Sequence, residues 1–146
     1  MRGLIGLDES TTVVDSTTDD ALGSDDVTAL AGRLARREVS PAELHRAALA
    51  RAEAVNRRLN AVVSWVHDMP PVQQPGSTSA PLAGIPTAVK DNEDLTGHVT
   101  TQGSWSMPDH PAVDDSPWVA QYLRLGVVPI AKTTLSEFGL TATTET

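Results

Sequence analysis

The stretch LAGIPTAVKDNED, residues 82–94, reads as an apolar strand over Ile85–Lys90 that runs straight into a sharply polar turn. Downstream, Ser116-Pro117 carries the start signals of a helix reaching Leu125, with Val119, Tyr122 and Leu123 as its apolar side and Gly126 as its terminator. Val127–Ala131 then reads as a second strand. Strand, helix, strand in that order is a βαβ unit, which favours a parallel sheet and places the chain in the α/β class. Both strand runs are apolar on both faces, so each side of the sheet expects a helical cover.

Upstream of the unit the periodicity is helical. Ser24 is a candidate N-cap with Asp25 and Asp26 in the first turn, Val27, Leu30, Ala31 and Leu34 as the apolar stripe, and Arg36 and Arg37 at the end. Ser40-Pro41-Ala42-Glu43 is a second start: a capping serine, proline at the first helical position and glutamate at the third. Leu44, Ala48, Ala52, Val55 and Leu59 extend it as a narrow, Ala-rich stripe. Asn60–Val66 is β-branched and extended, whereas 67–80, with Pro70-Pro71, Pro75-Gly76 and Ser77-Thr78-Ser79, is a loop. Gly97–Val113 is irregular, and Ser136–Leu140 can open one more helix.

With 146 residues and 40% hydrophobic content, the chain is long enough to bury a core, though Ala, Leu and Val must form it. Nineteen acids against eleven bases disfavour nucleic acid and anionic membrane surfaces as partners. Seven of those acids fall within the first 26 residues, so residues 1–23 are expected to form a flexible acidic arm and 24–146 the folded part. The absence of cysteine excludes disulfides and thiolate chemistry. No run approaches the length of a membrane span, and a cytoplasmic location is the default expectation.

Only two of the eleven basic residues are lysines, Lys90 and Lys132. Lysine can act as a base when held neutral, which arginine cannot. On a strand, Lys90 shares its face with the apolar Ala88 and Pro86, so burial is expected to favour the neutral amine, while Asp91 and Asp94 pull the other way. Chemistry elsewhere is less anchored. His98, Asp109, His110, Asp114 and Asp115 have no short histidine spacing that would bring them onto one face, so no metal and no cofactor is expected. Trp105 and Trp118 are expected to pack in the core or against loops.

Three separated segments, Leu82–Asp94, Thr100–Ser104 and Lys132–Gly139, resemble the amidase-signature enzymes, a family that includes bacterial amidases, fatty-acid amide hydrolase and an amidotransferase subunit. The resemblance covers about residues 24–146. It implies a helical pair followed by the first βαβ part of a larger mixed sheet, and a Ser–cis-Ser–Lys mechanism acting on a small-molecule amide. Lys90 matches the family's catalytic lysine; Gly139, Leu140 and Thr141 match a segment lining the acyl pocket; Lys132 matches a lysine read as structural. The glycine-rich stretch bearing both serines would lie beyond Thr146, so the chain is expected to supply the base, to be inactive alone, and to self-associate or pair with a complementing chain. A non-catalytic partner-binding module and an amidotransferase A-subunit-like fragment are the alternatives. Two features depart from the family pattern: loop 67–80 replaces a helix, and Ala131 and Thr134 stand where Gly and Asn are usual.

Overall fold

A computed structural model describes residues 19–72, 75–107 and 109–144. Its elements are α1 (Val27–Ala35), α2 (Pro41–Leu59), β1 (Val62–Trp65), β2 (Pro86–Lys90), α3 (Pro117–Arg124) and β3 (Val128–Thr133), followed by a single 3₁₀ turn at Glu137–Gly139. The three strands form one mixed sheet in the order β1-β3-β2. β2 and β3 are parallel, joined through α3, and β1 is antiparallel to β3.

Local chemistry accounts for most boundaries. Ser40 and Glu43 close a reciprocal capping box on α2, and Asn60 ends that helix in a left-handed conformation. Ser116 caps α3 by accepting from the Val119 amide, with Pro117 in the first turn. The start of α1 differs from expectation: Asp26, not Ser24, is the cap and accepts from Ala29 N at 2.8 Å. Asp25 lies outside the helix and is paired with Arg33 at 2.6 Å, so an ion pair takes the place of a dipole contact. Pro129 has no N–H to donate, and the ladder to β2 steps out of register just there, between Thr87 and Ala88.

Leu30, Leu34, Val39, Leu44 and Ile85 make one core cluster between the helical pair and the start of β2. Val89, Leu95 and Val119 make a second under α3. The expected stripe of α2 is buried only in its first half: Leu44 and Ala48 are inside, but Leu59 is 55% exposed, and His45 is buried instead. The arm expected at 1–23 falls largely on residues that are not described. Residues 1–18 lie outside the described residues, but Asp20 pairs with Arg51 at 2.6 Å, and Ala21 and Leu22 pack on the first cluster. The helix expected at Ser136–Leu140 is only the 3₁₀ turn, because Phe138 takes φ 51° and breaks the repeat. No helix among the described residues is long and apolar enough to cross a membrane.

Two histidines give the fold a pH dependence. Burial pushes the His45 imidazole below its usual value, against the opposing effect of a hydrogen bond with the Val66 backbone, and His45 Nε2 has no partner. Burial also lowers His98, helped by the positive charge of Lys132. Above the ordinary histidine value of 6.5 both rings are neutral in either state and stability is full. As pH falls below it, the unfolded chain takes up protons that the folded chain resists, so stability drops. The urea midpoint should therefore fall between pH 7.5 and 5.5, and the fall should shrink in His45→Gln; equal midpoints at both pH values would contradict this.

Candidate active site

Register places the two lysines on opposite faces of the sheet. Val89, Lys132 and Ser64 are cross-strand partners on one face; Lys90 and Thr133 are partners on the other. The Val89 face is roofed by α3 and the 91–104 segment, and Lys132 is fully buried there. Its Nζ donates to Val99 O at 2.7 Å and Thr100 Oγ1 at 2.7 Å, and pairs electrostatically with Asp91 Oδ1 at 2.8 Å. That last contact is an ion pair, not an aligned hydrogen bond. Two hydrogen-bond acceptors and one opposite charge stabilise a cation that would otherwise be expensive to bury.

Lys90 has the opposite environment. Both Ala88 and Lys90 are exposed, so the expected burial of the Lys90 amine is not found. The reason is tertiary: α3 packs on the opposite, Val89 face, and the Ala88–Lys90 end of this face is left open to water. Directly after Lys90 the chain turns under the sheet. The Asp91 amide donates to Thr133 O at 3.0 Å, and its carbonyl accepts from Gln102 N at 3.1 Å. Asp91 Oδ2 accepts from both the amide and the hydroxyl of Thr101. The carboxylate that sequence placed as a neighbour of Lys90 is thus committed to Lys132 and Thr101.

Beside these strand ends opens a groove of about 880 Å³. Thr101, Ser104 and Trp105 form one wall; Thr134, Leu140 and Thr141 belong to the other. Gly103 belongs to the first wall and has to be glycine. Its φ is +69°, and a Cβ there would stand 2.6 Å from Leu135 O. Ser104, which is buried, donates to Glu137 Oε1 at 2.5 Å and so ties the two walls together. Of the residues matched to the acyl pocket, Leu140 and Thr141 line the groove, whereas Gly139 closes the turn beneath them. Trp105 is not packed, contrary to expectation. It is fully exposed at the groove, while Trp118 is half-exposed and packs against Tyr122 at 4.9 Å between ring centroids.

Sequence reasoning missed the Asp91–Lys132 pair and the Ser104–Glu137 tie. Its available signal was an acid directly following the strand lysine in a chain with one other lysine. The acid and histidine residues considered for a metal have structural partners in part: His98 bonds Ser64 Oγ at 3.1 Å, and Asp115 accepts from the Thr96 amide and hydroxyl, each at 2.8 Å. Among the described residues, no group of three or more His, Asp or Glu could hold a metal ion.

This α/β frame is shared with solved amidase structures. Residues 43–146 match the family described as Amidase, and the chain belongs to that family. AmiC of Mycobacterium tuberculosis (strain ATCC 25618 / H37Rv) is 39% identical over 134 residues, which are 90% of this chain and 28% of that protein. A glutamyl-tRNA(Gln) amidotransferase subunit of Thermus thermophilus is 35% identical over 113 residues, covering 77% of this chain and 24% of the relative. Among solved structures, the native peptide amidase from Stenotrophomonas maltophilia superposes with a TM-score of 0.67 at 29% identity, over 81% of this chain and 26% of that one. The chain therefore spans about a quarter of the length of the relatives it matches.

Proposed function

We propose that this chain is the lysine-bearing N-terminal part of an amidase that hydrolyses carbon–nitrogen amide bonds through a Ser–cis-Ser–Lys relay. The observation that carries the reading is the position of Lys90. It is an exposed residue at the end of β2, paired across the ladder with Thr133, and the next residue of β3's chain, Thr134, lines the groove that holds Leu140 and Thr141. In the relay, the Lys90 amine accepts the proton of a bridging serine, which in turn deprotonates the attacking serine; water then releases the acyl group. Leu140, Thr141 and the Trp105 side of the groove face the acyl portion of a small-molecule amide.

The same exposure supports inactivity of the chain by itself. The relay needs a site closed to solvent, and here water reaches the Lys90 face. The chain covers 28% of AmiC, so the serines and the cover for this face belong to sequence outside it, supplied in one polypeptide or by a complementing chain. The open face is also a surface through which the chain would self-associate. The longer and closer match to AmiC than to the amidotransferase relative favours hydrolysis over amide transfer. Assay of the isolated chain against simple amides should give no turnover above background. Robust turnover that Lys90→Ala abolishes would show that the chain is a complete catalyst.

A further inference from the structure

We propose that Lys132 tunes Lys90 by neutralising Asp91. It takes up the carboxylate that follows Lys90 in the chain, so that the Asp91 charge is balanced on the opposite face of the sheet. The proposal rests on Lys90 being the base of the Ser–cis-Ser–Lys relay.

The local sequence contains a conflict. A base lysine followed immediately by aspartate is poorly arranged, because a nearby carboxylate favours the ammonium form. The structure resolves the conflict through register. Asp91 turns under the sheet to the face opposite Lys90, and Lys132 waits there, paired with Val89 across the ladder. Both members of the ion pair are completely buried at 2.8 Å, so little solvent screens either charge, and only the opposite partner cancels its field.

The other ionisable groups around Lys90 do not duplicate this arrangement. From β3, the cross-strand residues of its face are Ala131 and Thr133, neither ionisable. From β1, the residue paired with Ala131 is Trp65. In the turn, Glu93 is engaged by Ser116 Oγ at 2.5 Å, and Asp94 is exposed to water. From α2, the buried ionisable side chain is His45, kept neutral by burial; His98 lies on the Lys132 face with Ser64. Asp91 is the one fully buried carboxylate among the described residues, and Lys132 is its counter-charge.

The pair also fixes geometry. Asp91 Oδ2 holds Thr101, and Lys132 holds Val99 and Thr100, so the groove wall is tied to the ends of β2 and β3. Lys132 is thus a positioning residue that never needs to touch substrate.

The test follows the Lys90 amine directly, with no need for turnover. The full 146-residue chain is labelled with a trace acylating reagent across a pH series, and modification of the Lys90 peptide is read by mass spectrometry. Lys132→Met leaves the Asp91 charge uncompensated, and the labelling midpoint should rise by about half a pH unit or more. Asp91→Asn leaves Lys132 buried with no counter-charge, where desolvation strips its proton, so the midpoint should stay at the wild-type value. Asp91→Asn/Lys132→Met removes both charges and should restore the wild-type midpoint. A folded Lys132→Met with an unchanged midpoint, or a folded Asp91→Asn whose midpoint rises as far as that of Lys132→Met, overturns the proposal. If either single variant loses amide protection in α2, the double variant decides: it strands no charge, and a midpoint displaced by about half a unit or more overturns the proposal. Amide hydrolysis surviving the loss of Lys90 in an assembled enzyme would sink the base reading and leave this coupling measurement intact.

Discussion

Lys90→Met is expected to lower amide hydrolysis by about 10³-fold when this chain is assembled with the complementary three quarters of a relative such as AmiC, supplied as a separate polypeptide. General-base catalysis by a positioned side chain contributes about 10² to 10⁴ in rate, and the relay has no second amine on the Lys90 face to substitute for it. Lys90→Arg should be equally damaging, because a guanidinium keeps its charge and its protons at any working pH. This pair of variants separates chemistry from electrostatics: if arginine sustained turnover, Lys90 would be needed only for its positive charge. Neither change should disturb folding. The side chain is exposed, and surface substitutions of this kind stay within about 0.5 kcal/mol. A midpoint of denaturation that matched wild type, together with lost turnover, would assign the effect to the reaction.

Gly126→Ala is expected to be among the most damaging single-methyl changes in the scaffold. Gly126 ends α3 at φ +88°, and a Cβ there would lie 2.7 Å from the Ala83 Cα and 2.9 Å from the Ala83 nitrogen. These are backbone atoms that no rotamer change can move aside. Around this glycine the 82–85 segment is laced to the helix end: Leu82 N donates to Leu125 O at 2.8 Å and Gly84 N to Gly126 O at 2.9 Å. Those bonds set the entry of β2 into the sheet and hence the position of Lys90 at its far end. The left-handed conformation costs an alanine about 1 kcal/mol, and the overlap adds about 1–3 kcal/mol. Urea denaturation should show a loss of about 2–4 kcal/mol, against about 1 kcal/mol for Gly97→Ala, where φ is +81° but a Cβ meets nothing within 4 Å, so only the backbone strain remains. Equal effects at the two glycines would mean that the close approach to Ala83 does not matter.

Much of the scaffold was legible because its signals are local. The capping box at Ser40 and Glu43, the Ser116-Pro117 start, and the order of β2, α3 and β3 depend on residues a few positions apart, and each appears where its chemistry points. The cap of α1 was displaced by two residues because Ser24, Asp25 and Asp26 all qualify as caps, and the pairing of Asp25 with Arg33 decided among them. Trp105 illustrates the limit of composition. A large aromatic is usually well covered, yet this one stands at the groove fully in solvent, since what an aromatic packs against depends on which elements arrive next to it.

The two lysines mark the division most clearly. That a lysine should stand at the end of the β2 strand, followed by an acid, is a property of residues 85–91 alone, as is the family resemblance they carry. Which lysine faces water and which is sealed inside could not be read from either segment. It follows from the register between β2 and β3, the pleat that turns neighbouring residues to opposite faces, and the 91–104 segment folding back over only one of them. Burial and charge pairing are sums over groups far apart in the chain, and only the assembled sheet brings Asp91, Thr100 and Lys132 within hydrogen-bonding distance.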